Sequence, residues 1–185
     1  MSVIVLAGGT SRRFGSDKLA ALLSDGRSVL DHCLSGMPSG WPVVVVGPSR
    51  VVPPAVVARV RFVRESPVGG GPLAGVAAGL SQVSGDVVCV AAGDVPRAGK
   101  MLPSLVAALE ADPSVDGAVL SDGEGQPNPL IAAYRVNALR GAMPSAPANL
   151  PARTLLSLSH ALVRPETEVH DIDTPADLEG AERPE

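Results

Sequence analysis

A chain of 185 residues, 45% of them apolar, is long enough to bury a full core and fits one domain spanning residues 1–185. Aromatic residues make up 2% and the formal net charge is -4, which leaves almost no rings for stacking nucleic acid and argues against a polyanionic partner, because phosphate-backbone binding draws on clustered Lys and Arg. A small anionic ligand needs only a local group of cations.

In chain order, short apolar runs bounded by turn residues mark strands at residues 3–7, 43–46, 60–63 and 87–92. Their length and valine content suit strands buried on both faces. Helices are expected over 28–36, over 72–83 with Pro72 in the first turn, and over 101–111, 136–142 and 174–183. Asp116–Leu120 and Leu130–Tyr134 read as further strands, the second a candidate for antiparallel pairing. Strand and helix alternate, so the fold class is α/β, a Rossmann-like three-layer sandwich around a mainly parallel sheet. Pro and Gly concentrate in 47–54, 66–72 and 141–151, which read as loops rather than interdomain linkers.

Cys33 falls in a helix and Cys89 in a strand, with no C-x-x-C spacing and no Cys/His cluster, so both are expected as buried, reduced thiols. His32, His160 and His170 show no metal-ligand spacing and no G-x-S-x-G partner. No charged leader precedes a long apolar segment, and no apolar stretch approaches the roughly 18 residues of a membrane helix. The expected location is the cytoplasm, without membrane or nucleic-acid partners.

The first strand runs into Gly8-Gly-Thr-Ser-Arg-Arg-Phe-Gly-Ser-Asp-Lys18. A P-loop requires Lys directly after its last Gly and then a hydroxyl, whereas Ser16 and Asp17 intervene here and Leu19 follows Lys18. The dinucleotide fingerprint G-x-G-x-x-G is not spelled either. What remains is a glycine pair whose backbone N–H groups can form an anion-binding nest, beside the cations Arg12, Arg13 and Lys18. Taken alone, the loop also reads as a solvated basic turn.

Leu6-Ala-Gly-Gly-Thr-Ser-Arg-Arg-Phe-Gly-Ser-Asp-Lys18 resembles the L-A-G-G-x-S-x-R-[MF]-G-x-D-K signature of the molybdenum cofactor guanylyltransferases and their MobA-like nucleotidyltransferase relatives. The spacer between Gly15 and Asp17 is one residue shorter than in some members. The resemblance implies a nucleotide-diphospho-sugar transferase-like fold, and a loop (Leu6, Ala7, Gly8, Gly9, Arg12) that wraps a nucleoside triphosphate while Lys18 contacts its phosphates. Further segments follow in the family's order, from residue 3 to residue 178.

Gly69-Gly-Gly-Pro-Leu-Ala-Gly-Val76 places a proline at a helix start after flexible glycines. It is similar to the family's G-P-L-A-G segment, implying that Gly71, Pro72 and Leu73 help to form the base pocket; a plain glycine-rich helix start would read the same. Glu65 stands near where relatives carry an acid by the nucleotide, and reads equally as a surface carboxylate. Val87–Pro96 is a buried strand ending in Gly93-Asp94. A carboxylate there faces the crevice where α/β sheets bind ligands and suits magnesium; helix capping is the competing role. The family uses this Asp as a metal ligand, which implies that role for Asp94.

Val169-His-Asp-Ile-Asp-Thr-Pro-Ala-Asp-Leu178 can be explained as a helix cap at Asp173 or Thr174. It also resembles the family's N-x-N-T-P or D-x-D-T-P segment, implying that Asp171 and Asp173 point toward metal and phosphates, with Asp173 the second metal ligand and Asp171 toward the acceptor. Asn128, between two prolines, either donates to an acceptor phosphate or closes a turn.

The implied reaction is attack of an acceptor phosphate on the α-phosphorus of GTP with release of pyrophosphate, with Mg2+ on Asp94 and Asp173 and with Lys18 and Arg13 offsetting the leaving charge. Gly9 leaves room for a purine, and the L-A-G-G spelling is the one found among guanylyltransferases; Asp171 and Asp173 resemble the cytidylyltransferases instead. The implied acceptor is molybdopterin or its molybdenum-loaded form, with transient contacts to cofactor-insertion or molybdoenzyme partners. A CTP-dependent cytidylyltransferase, another small-molecule-phosphate nucleotidyltransferase and a non-enzymatic nucleotide-binding module remain the alternatives.

Overall fold

Residues 1–9, 14, 17–165, 172 and 177 are described by a computed structural model. Seven strands form one sheet: β1 (Ser2–Leu6), β2 (Val43–Val46), β3 (Val60–Val63), β4 (Val87–Ala92), β5 (Gly117–Ser121), β6 (Pro127–Arg135) and β7 (His160–Val163). Their order is β3-β2-β1-β4-β6-β5-β7. Neighbours run parallel except β6, which is antiparallel to both β4 and β5.

Side chains alternate across a strand, so β1 feeds two cores. Val3 and Val5 pack on one face with α1 (Val29–Ser35) and α3 (Ala98–Ala111), through Leu30, Leu34, Leu102 and Leu105. Ile4 packs on the other with α2 (Pro72–Leu80), α4 (Val136–Ala142) and the 3-10 helix Ala152–Ser157, through Leu73, Val76, Leu139 and Leu155. The outcome is the three-layer α/β sandwich expected from the alternation.

Local chemistry sets the boundaries. The Ser28 hydroxyl accepts from the Asp31 N–H while the Asp31 carboxylate accepts from the Ser28 N–H, a capping box that starts α1. Helix α2 ends at Leu80, three residues before the expected end, with Ser81 as its C-cap. Helix α3 begins at Ala98 rather than 101 and carries Pro103 inside it. Its extra turn is held by packing: Ala98 and Gly99 are buried, and a Cβ on Gly99 would lie only 2.2 Å from the Gly36 carbonyl oxygen. Strand β6 starts at Pro127 and not at Leu130, and both β7 and the 3-10 helix before it were without a sequence expectation. The helix expected over 174–183 lies outside the described residues apart from Asp177, which is helical.

Cys33 and Cys89 are free and buried. Burial pushes both thiols up to about 12, with the Asp94 charge adding to the effect on Cys33. Among the described residues no helix is long and apolar enough to cross a membrane.

Candidate active site

Strand order positions the site. From β1 the chain builds outward through β2 and β3, then returns to place β4 on the other side of β1. Loops leaving the carboxyl ends of β1 and β4 therefore diverge, and α/β sheets bind ligands at such a reversal. Gly8 and Gly9 follow β1; Gly93 and Asp94 follow β4. The two strand ends are laced together by the Gly93 N–H, which donates to the Leu6 carbonyl at 2.9 Å. A Cβ on Gly93 would stand 2.8 Å from that same oxygen, so the close approach requires glycine at this position.

A cleft of about 300 Å³ opens between these loops. Lys18 reaches it from the 3-10 turn Lys18–Ala20, which Asp17 caps by accepting the Leu19 N–H at 3.2 Å. Leu19 is 5% exposed and anchors the turn beside the cleft. Lys18 Nζ lies 2.5 Å from Asp94 Oδ2. The other Asp17 oxygen, Oδ2, pairs with Arg50 Nη1 at 2.5 Å.

The second wall is the start of α2. Gly71 caps the helix with φ 88, in the left-handed region open to glycine, and Pro72 takes the first helical position. Glu65, in the loop after β3, is 5% exposed. Its Oε1 accepts the Gly69 N–H at 3.0 Å, while Oε2 is buried without a partner among the described residues. Gly8 sits directly against it, since a Cβ there would lie 3.3 Å and 3.4 Å from the two carboxylate oxygens. The last wall comes from β6. Because that strand runs antiparallel, its beginning lies at the carboxyl end of β4; Val90 pairs with Ala132, and continuing that register sets Leu130 beside Ala92. Both line the cleft.

Of the residues singled out in the sequence, Leu6, Gly8, Gly9, Lys18, Glu65, Gly71, Pro72 and Asp94 line this cleft. Ala7 and Leu73, 2% and 0% exposed, lie in the packed layers behind it. Asn128 uses Oδ1 locally, accepting the Leu130 N–H at 3.0 Å, and does not line the cleft. Arg12, Arg13, Asp171 and Asp173 lie outside the described residues. Ile172, between the last two, is 1% exposed, and its N–H donates to the Asp94 carbonyl at 3.0 Å. Gly75, the last residue of the G-P-L-A-G segment, lines the cleft too, as do Leu19, Val46, Gly69, Ala92 and Leu130, to which the sequence assigns no site role. Gly69 and Gly75 have a readable signal as members of the second loop motif, Leu19 as the neighbour of Lys18 and Ala92 as the last residue of the β4 run; Val46 and Leu130 depend on how distant strands come together.

Chemically, the cleft offers a glycine-lined backbone, an ammonium and a hard-oxygen ligand. Among the described residues no group of three His, Cys, Asp or Glu side chains surrounds a point. Magnesium does not require one, since it typically takes one or two carboxylates together with substrate phosphates and water. The Asp94 carboxylate fits that donor set.

The MobA-like NTP transferase domain matches residues 3–164 of the chain. A probable molybdenum cofactor guanylyltransferase of Chloroflexus aggregans is 36% identical over 145 residues, covering 75% of this chain and 67% of that protein. The matched stretch thus spans about two thirds of the length of its curated relatives. Molybdopterin-guanine dinucleotide biosynthesis protein A from Archaeoglobus fulgidus superposes with a TM-score of 0.73 at 25% identity, covering 98% of this chain and 97% of that one. The 2-C-methyl-D-erythritol 4-phosphate cytidylyltransferase of Thermus thermophilus, at 22% identity and a TM-score of 0.65 over 98% of this chain and 96% of its own, shares the fold.

Proposed function

The chain belongs to the MobA-like NTP transferase domain family, and from that premise we propose that it is a molybdenum cofactor guanylyltransferase, moving GMP from GTP onto the phosphate of molybdopterin. The observation that supports this most directly is the cleft at the sheet's reversal point, which gathers the Gly8-Gly9 loop, Lys18, Asp94 and the Gly71-Pro72 helix start.

An oxygen of the acceptor phosphate attacks the α-phosphorus of GTP, the bond from that phosphorus to the bridging oxygen breaks, and pyrophosphate leaves with the electron pair. The attacking oxygen is already ionised, so no general base is required. The chain's task is positioning and charge balance. Gly8 and Gly9 bring backbone close to the nucleotide; Lys18, with Arg12 and Arg13, takes up the negative charge of the phosphates. Asp94 and Asp173 would hold a magnesium ion, which when bound neutralises phosphate charge and favours departure of pyrophosphate. Gly71 and Pro72 bound the side on which the base lies, and Gly9 leaves the space a purine needs.

The test is pyrophosphate release with magnesium, molybdopterin and each nucleoside triphosphate in turn. Release with GTP alone is expected. Release with CTP in its place would make the protein a cytidylyltransferase, and no release with any acceptor would leave a nucleotide-binding module.

A further inference from the structure

Arg50 belongs to no motif singled out in the sequence and does not line the cleft. It stands in the loop after β2, and its Nη1 lies 2.5 Å from Asp17 Oδ2. Asp17 is divided between two tasks. Oδ1 accepts the Leu19 N–H at 3.2 Å and its backbone carbonyl accepts the Ala20 N–H at 3.0 Å, which together wind the turn that carries Lys18. Oδ2 faces the guanidinium. One carboxylate therefore joins the turn bearing Lys18 to a neighbouring loop of the sheet.

As a stabilising device the arrangement is poor. The Asp17 side chain is 46% exposed, and ion pairs so exposed contribute little to folding. Arg50 Nε is buried without a partner among the described residues. As a positioning device it is well placed. The turn is a single 3-10 turn of three residues, Lys18–Ala20, in which buried Leu19 fixes one point and the contact of Asp17 with Arg50 fixes a second. The Lys18 ammonium must stay at one point, since the side chain is only 14% exposed and its Nζ stands 2.5 Å from the Asp94 carboxylate.

We propose that Arg50 is a positioning residue for Lys18, acting through Asp17 to fix the direction in which the ammonium enters the cleft. This rests on the guanylyltransferase reading for the role of Lys18, while the linkage itself is a property of the chain. Loss of the guanidinium frees Oδ2, lets the capped turn pivot about the Leu19 anchor, and blurs the position of a cation whose value depends on placement. Because Lys18 acts on charge that builds on the departing pyrophosphate, the cost falls on kcat more than on KM.

The experiment is a double-mutant cycle read by pyrophosphate release. Arg50→Ala is expected to lower kcat by roughly 10- to 100-fold with an unchanged melting temperature. Arg50→Lys is expected to recover most of the loss, because the contact is an ion pair between one nitrogen and one oxygen. Asp17→Asn, which retains a capping oxygen and drops the charge, is expected to match Arg50→Ala and serves in its place should that variant fail to fold. In a Lys18→Ala background, Arg50→Ala is expected to cost nothing further. Normal turnover of Arg50→Ala, or an equal additional loss in the Lys18→Ala background, overturns the proposal. Calorimetric binding of inorganic tripolyphosphate repeats the cycle without turnover. An inactive wild type that binds tripolyphosphate, with Arg50→Ala weakening binding only when Lys18 is present, sinks the guanylyltransferase reading and leaves the linkage standing; absence of both turnover and binding overturns both.

Discussion

Lys18 Nζ and Asp94 Oδ2 lie 2.5 Å apart, across the junction of loops that leave neighbouring parallel strands. Each charge neutralises the other, so a triphosphate with its cation would find both partners already in the cleft and exchange one ion pair for two. If Asp94 is the metal ligand, Asp94→Ala lowers turnover by about 10²- to 10³-fold, the scale on which removing one electrostatic group from an active site acts. Circular dichroism should show an intact fold, because the structural contact at this position, the Ile172 N–H on the Asp94 carbonyl, is made by backbone. Near-normal pyrophosphate release would remove Asp94 from the site.

Gly8 and Gly9 predict opposite behaviours for the same substitution. A Cβ on Gly8 meets the Glu65 carboxylate, whereas a Cβ on Gly9 meets nothing within 4 Å. Gly9→Ala should fold like the parent and, if the nucleotide passes over this residue as proposed, raise KM for GTP by roughly tenfold, equivalent to about 1.4 kcal/mol. An unchanged KM for GTP would show that the base does not pass over this residue.

Gly99→Ala tests how α3 is held. Alanine favours a helix over glycine by about 1 kcal/mol, yet its Cβ would stand 2.2 Å from the Gly36 carbonyl oxygen, a backbone atom that cannot swing aside. Overpacking wins, and a net destabilisation of about 1–3 kcal/mol is expected. Thermal unfolding should show a Tm several degrees lower; a higher Tm would mean that the two helix ends separate freely.

Alkaline stability follows from the two buried thiols. In the folded chain Cys33 and Cys89 titrate at about 12, against an ordinary value of 9.0. Between those values the unfolded chain releases protons that the native chain keeps, so stability falls as pH rises, by about 1.4 kcal/mol per pH unit for each thiol. Well below that range the effect vanishes. Urea midpoints at about pH 8 and about pH 10.5 should diverge in the parent and much less in a Cys33→Ala/Cys89→Ala variant.

What could be read from the sequence was set by the range of the interactions. Val43–Val46 and Val87–Ala92 appear as strands where their apolar runs stand, because a continuous apolar run bounded by turn residues is a local signal; Val60–Val63 is a strand as well, although Arg61 interrupts its run and the strand is half-buried or exposed rather than covered on both faces. Ser28 and Pro72 mark their helix starts through chemistry confined to a single turn. Strand β7 is illegible in the sequence: His160-Ala-Leu-Val163 is a four-residue strand at the sheet's edge, paired with β5, and it carries no periodic pattern of its own. The start of α3 is missed because the close contact between Gly99 and Gly36 that holds its first turn joins residues far apart in sequence. In the site, the glycine loops, Lys18 and Asp94 announce themselves by spelling. Leu130, Val46 and the Arg50–Asp17 pair do not, since each is set by strand order and loop placement rather than by neighbours in sequence.

The bond from the Ile172 N–H to the Asp94 carbonyl also constrains the order of events during biosynthesis. Strands β1 and β4 can emerge from the ribosome and pair early, but the backbone beneath Asp94 waits for a residue made much later. A nascent chain halted just before position 172 would own all seven strands and yet leave that carbonyl without its partner, so the sheet is complete before the last contact beneath Asp94 can form.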